Sequence, residues 1–166
     1  MRTLIVIFLM VFTTKSYSNS IDILDLRKHF YAASINKSSA DSFLLLMESV
    51  NINTDPVLLG YRGMAYMMQA NYSINPFVKL RNFNAGKTII EQAIQKNPWN
   101  IEIRFLRFCV QTNVPLILGY SGDINNDKLF ITLQWKRLND LDLKNRISKY
   151  MIDSKQCNEL EKLNFK

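Results

Sequence analysis

The sequence predicts an all-α protein, and three observations carry that prediction. Apolar residues recur at i, i+3, i+4 and i+7 through most of the chain, and no stretch alternates with period two for long. Asp55-Pro56, Asn75-Pro76 and Asn97-Pro98 each set a capping residue before a proline, whose missing N–H costs nothing in the first turn of a helix. Finally, five Gly and four Pro in 166 residues are too few for a β-sandwich or barrel, which needs a turn about every 8–12 positions.

Element by element, the chain opens on an address. Met1-Arg2-Thr3, the apolar run Leu4–Phe12 and the small residues Ser16 and Ser18 have the order of a secretory signal. The run is shorter than the ~20 apolar residues of a membrane span. Residues 1–18 are therefore expected to be a signal peptide and 19–166 a single exported all-α domain, in the periplasm or outside the cell. Ser20 then caps a helix burying Ile23, Leu24, Phe30 and Tyr31. Ser38 and Asp41 make a near capping box before Ala40, Phe43, Leu44 and Met47. From Pro56 to about Ala70 the apolar residues leave only a thin polar stripe at Arg62 and Gln69, which places that helix inside a stack. Phe77 to Lys96 follows, with Leu80, Phe83, Ile90, Ala93 and Ile94 on its stripe. A helix after Pro98 sets Ile101, Phe105, Phe108 and Cys109 on one face and Arg104, Arg107 and Gln111 on the other. Asn113 to Gly122 is non-helical. Asp123 caps a helix with Ile124, Ile131, Trp135 and Leu138, and Asn139 or Asp140 starts one with Leu143, Ile147, Tyr150 and Met151. A short charged piece, Ser154 to Phe165, ends the chain.

Composition excludes several functions. One His and two Cys cannot fill a multi-ligand zinc site, and no P-loop, G-x-G-x-x-G, G-x-S-x-G, H-E-x-x-H or EF-hand loop occurs. No catalytic residue, metal or cofactor is expected. The formal charge of +7 falls by two when Arg2 and Lys15 leave with the leader, and the remaining Lys and Arg are scattered along the chain. Nucleic-acid binders gather charge on one face, so nucleic acid is not an expected partner.

Gly63-Met64-Ala65-Tyr66 resembles the G-x-A-Y of the first helix of a tetratricopeptide repeat. Gly86, Ile90, and Ala93 followed by Pro98 resemble that repeat's second helix. The small residues at 63 and 86 let two antiparallel helices approach closely, with Tyr66 and Ile90 filling the space beside them. The unit is about eleven residues too long, and the surplus, residues 71–82, is expected to lengthen both helices and reshape their turn. The resemblance implies a short right-handed stack of antiparallel helix pairs, a degenerate tetratricopeptide-like array of about six or seven helices. Over the whole chain, Leu59–Ala65, Asn75-Pro76-Phe77-x-Lys79-Leu80, Asn100–Phe108 and Leu118-Gly119-Tyr120 resemble a group of exported Bacteroidetes proteins, which implies a compartment and no mechanism.

Candidate functional residues follow from that architecture. First helices of stacked pairs line a concave surface, so Arg62, Arg104 and Arg107 would converge there and grip an acidic group, with Gln111 beside them. The same arginines also read as structural salt-bridge partners of Glu48, Glu91 or Glu102, since charged stripes more often only solvate a helix. Tyr72, Phe77, Phe83 and Trp99 are either an aromatic patch for a partner or pins for the long turn. Cys109 and Cys157 invite a disulfide closing a loop of roughly 50 residues, worth about 4 kcal/mol; otherwise one is a core residue and the other an incidental thiol. His29, beside Arg27 and Lys28, reads as a surface residue. These features favour a non-enzymatic adaptor holding a protein or peptide. The alternative is a small envelope enzyme or small-ligand binder using the Arg and aromatic surface between 62 and 107.

Overall fold

A computed structural model describes residues 21–166, so the leader, its cleavage site and the Ser20 cap lie outside the described residues. The described residues form eight helices and no strand, with one 3-10 turn at Leu116–Leu118. The helices are α1 (Ile23–Ile35), α2 (Lys37–Leu46), α3 (Pro56–Tyr72), α4 (Pro76–Lys96), α5 (Ile101–Asn113), α6 (Ile124–Trp135), α7 (Leu141–Asp153) and α8 (Glu159–Leu163).

Most boundaries have a capping side chain that satisfies otherwise unpaired N–H groups of the first turn. Asp55 accepts from Val57 N and Leu58 N, and Asn75 from Phe77 N and Val78 N, each with proline following as expected. Asp140 caps α7, and Asn158 with Glu161 forms a reciprocal capping box on α8. Three starts differ from expectation. Asp22 caps α1, Asn36 rather than Ser38 caps α2, and Asn100 rather than Asn97 caps α5. Asn97-Pro98-Trp99 instead makes a turn, closed by Asn100 N on the Asn97 carbonyl.

Consecutive helices pack as pairs, α1 with α2, α3 with α4, α5 with α6 and α7 with α8, and the first helices α1, α3 and α5 also touch in succession. The α3–α4 pair is the closest. A Cβ on Gly63 would sit 2.6 Å from Ile90 Cγ1 and 3.0 Å from the Gly86 carbonyl oxygen, and one on Gly86 would lie 2.8 Å from the Gly63 oxygen. These two glycines bring the backbones together, as their positions in the sequence suggested. Residues 71–82 are helical except at the turn, so they extend both helices.

Two apolar cores flank α5. The first gathers Leu26, Phe43, Leu59, Tyr61, Met64, Phe83, Ile90, Ile103 and Leu106 from α1 to α5. The second gathers Phe105, Phe108, Ile131, Leu143, Ile147, Met151 and Phe165 from α5 to the C-terminus. Each fully buried Ile or Phe contributes roughly 1.5–3 kcal/mol. Because α5 is the wall between them, it is buried on both sides, and Arg107 and Gln111 are 4% and 2% exposed. The expected division of α5 into an apolar and a solvated face therefore fails, since α6 covers the second face. In α1 the outcome is also different: Leu24 and Tyr31 are exposed, while Arg27 is 1% exposed.

Candidate functional site

Arg104 and Arg107 stand one turn apart on α5, and both reach Asp127 of α6, whose carboxylate is fully buried. Arg107 spends its whole guanidinium on acids: Nε to Asp127 at 2.7 Å, Nη2 to Asp127 at 2.9 Å, and Nη1 to Glu91 at 3.0 Å and Asp123 at 3.3 Å. Burial lowers its proton affinity, but the Asp127 hydrogen bonds and the three carboxylates outweigh that and hold it firmly charged. Asp123 is thereby drawn away from capping α6 and makes no side-chain cap. Arg104 donates to the Pro98 carbonyl and to Asp127, and lies 5.0 Å over the Phe130 ring. Tyr120 donates to Glu91 at 2.6 Å, and its own pKa is driven up first by burial and then by that carboxylate.

Above these charges lies an open cleft of about 530 Å³. Its walls are Ile94 of α4 and Leu129, Phe130 and Leu133 of α6, with Arg104 and Arg107 at its floor and Asp123 at its edge. Trp99, 78% exposed, extends this wall with its ring 6.1 Å from Phe130. Leu129 and Leu133 are 62% and 61% exposed, so α6 presents apolar side chains away from the core as well as into it.

Comparison with family models, with curated proteins and with solved structures gave no match.

Of the expected binding residues, the structure brings Arg104, Arg107 and Trp99 to one cleft. Arg62 does not join them: it hydrogen-bonds the Val50 carbonyl and ties α3 to the connection before it. Gln111 is buried a turn beyond Arg107, with its amide oxygen lacking a hydrogen-bond partner. Tyr72 packs against the first core, and Phe77 stands exposed at the α3–α4 turn. Of the proposed salt-bridge partners, Glu91 serves Arg107, while Glu102 serves Arg27.

Of the two readings of the cysteines, the structure shows Cys109 and Cys157 as free thiols. Cys109 sits against Tyr150, which also hydrogen-bonds Thr112 and Asn113, and burial pushes its thiol pKa up. Cys157 lies in the second core near Lys128 and Glu161, and burial raises its pKa too. Both are thus poor nucleophiles. Among the described residues, no group of three or more His, Cys, Asp or Glu is placed to hold a metal ion.

A second charged centre was not legible in the sequence. Arg27 of α1 donates to Glu102 of α5 at 2.7 and 2.8 Å, and to Asp140 and Asp142 at the start of α7. Tyr61 of α3 donates to the same Glu102 at 2.7 Å. The smaller cleft, about 410 Å³, opens beside it between Ile21, Asp55, Val57, Leu58 and Asp140. Its position shows that α1, α3, α5 and α7 all begin at this end of the molecule.

Proposed function

We propose that the chain is an exported, non-enzymatic adaptor of tetratricopeptide-like build, which holds an apolar segment of a protein or peptide against the α5–α6 face. The observation that carries this reading is the α6 surface: Leu129, Phe130 and Leu133 line an open cleft beside the exposed Trp99. Exposed apolar side chains gathered around a concavity are the usual build of a recognition surface, with aromatic residues as anchors. Arg104 and Arg107 serve as salt-bridge partners, the second of the two readings of these arginines. With Arg104 and Arg107 held by Asp127, Asp123 and Glu91, the cleft floor is a paired network rather than an open carboxylate clamp. Recognition then falls to the apolar walls. The same pairing gives less support to an enzyme or small-ligand binder, because the titratable groups of the cleft are engaged with one another.

The test is affinity capture with the wild-type chain and with Leu129→Asp/Leu133→Asp, a change at exposed positions that spares both cores. A stoichiometric partner held by the wild type and lost by the variant supports the adaptor. Capture that is equal in both, or a wild type with no partner, overturns this assignment of the surface.

A further inference from the structure

Among the described residues the α3–α4 turn carries the most exposed apolar side chain, and neither cleft touches it. Ile74 is 100% exposed, Phe77 83% and Leu80 47%, on two successive turns of the α4 start and the connection before it. Lys79 and Arg81 are exposed among them, and none of the ion pairs among the described residues engages either one. From Pro56 to Ile90 the chain contains no Asp or Glu, while Arg62, Lys79, Arg81 and Lys87 all lie in that stretch.

A second apolar point lies at the same end. The connection after α5 exposes Leu116 at 80% and Ile117 at 93%. It is held against α4 by Tyr120, whose ring is 6.0 Å from Phe83 and 5.1 Å from the Lys87 ammonium. Both points belong to the end where α3 and α5 finish. The opposite end, where the odd-numbered helices start, carries Asp22, Asp55, Glu102, Asp140 and Asp142. Glu102, Asp140 and Asp142 are paired there with Arg27. With 17 residues against 13, α3 outreaches α5, by about 6 Å at 1.5 Å per residue, so the Ile74–Phe77 turn leads.

We propose that this end docks the protein on an anionic lipid surface, with Ile74, Phe77, Leu116 and Ile117 entering the interface and Lys79 and Arg81 facing the headgroups. Charge and exposure favour a bilayer: between Pro56 and Ile90 no acid offsets Lys79 and Arg81, and Ile74 and Phe77 stand almost fully in solvent beside them. Aliphatic and aromatic tips flanked by cations match the interfacial region, where apolar groups sink roughly 5–10 Å and cations add attraction to anionic lipid. No helix among the described residues is long and apolar enough to cross a membrane, so the contact is peripheral.

The test is flotation of the full chain with vesicles of phosphatidylcholine alone, and of phosphatidylcholine with one third phosphatidylglycerol, at about 50 mM and about 500 mM salt. Three proteins are compared: wild type, Ile74→Ser/Phe77→Ser and Lys79→Ala/Arg81→Ala. All substituted positions are exposed, and circular dichroism checks that each variant is folded. Wild type is expected to prefer the anionic vesicles at least tenfold at low salt. The charge variant should lose about five-fold per cation removed, and the apolar variant more than tenfold. Residues 1–20 are the same in every arm, so equal partition by all three proteins overturns the proposal. So does binding indifferent to lipid charge, or capture by polyglutamate resin without vesicle binding, which would assign the end to an acidic polypeptide. Vesicle partition is read independently of partner capture, so this proposal and the adaptor reading fail separately.

Discussion

Arg27 and Arg107 are each buried guanidiniums ringed by three carboxylates, yet they join very different lengths of chain. Arg107 meets Glu91, Asp123 and Asp127, all within 20 residues of itself. Arg27 meets Glu102, Asp140 and Asp142, across 75, 113 and 115 residues. The first clamps neighbouring helices α4, α5 and α6. The second laces the first helix to the seventh across one end of the stack. Solvent differs too: Asp127 is sealed, whereas the side chains of Asp140 and Asp142 are 37% and 33% exposed. Buried ion pairs gain little over apolar packing, but breaking one leaves an uncompensated charge, and that loss is large. Equal chemistry therefore has unequal reach, local at Arg107 and global at Arg27.

The largest expected effect tests that contrast directly. Arg27→Ala strands Glu102, whose side chain is 6% exposed, and should cost about 3–5 kcal/mol in urea unfolding. Asp127→Ala should cost less, about 2 kcal/mol, because Arg107 keeps Glu91 and Asp123. Hydrogen exchange should rise in both α1 and α7 for the first variant, and chiefly in α6 for the second. Global loosening by Asp127→Ala would erase the distinction.

Acid should act more modestly, and on the Arg27 side. Asp140 is held below its ordinary 3.8 first by the Arg27 hydrogen bond, and Asp142 first by Arg146 and then by Arg27. Groups depressed on folding stabilise the native state fully above the unfolded value and lose that contribution as pH falls through the folded one. Stability should therefore decline as pH drops below about 4, with α7 loosening first, and Arg27→Ala should flatten that decline in a pH series of urea midpoints. The smallest effect is expected from Arg146→Ala. Its i,i+4 pair with Asp142 is partly solvated, so about 0.3–0.5 kcal/mol is at stake. A loss above 1 kcal/mol would mean that Arg146 helps to hold Asp142 toward Arg27.

What sequence could show was what lies within one or two helices. Gly63, Gly86 and Ile90 reported their own crossing, because small residues at matched positions have few other uses on a hairpin. Asp55, Asn75 and Asp140 reported their helices through cap chemistry, which is local. Arg27 was hidden, because beside Lys28 and His29 it reads as part of a solvated face, and only Glu102 and Asp140 make its burial tolerable. Arg107 and Gln111 misled for the same reason: α5 is covered on two sides, and the covering helix α6 begins 13 residues downstream of Gln111. The groove itself lay in plain view as Leu129 and Leu133. Their surplus over the core-facing Ile131 and Trp135 was the sign that α6 has two apolar sides.

The lacing by Arg27 also sets a timetable. A ribosome adding 5–20 residues each second completes Asp142 roughly 6–23 s after Arg27. Through that interval the helices α1 to α4 can pair locally while the Arg27 guanidinium waits, first for Glu102 and then for α7. The Arg27 lacing therefore stays unfinished until α7 has been made, and a chain cut short before residue 140 would hold that guanidinium by Glu102 alone.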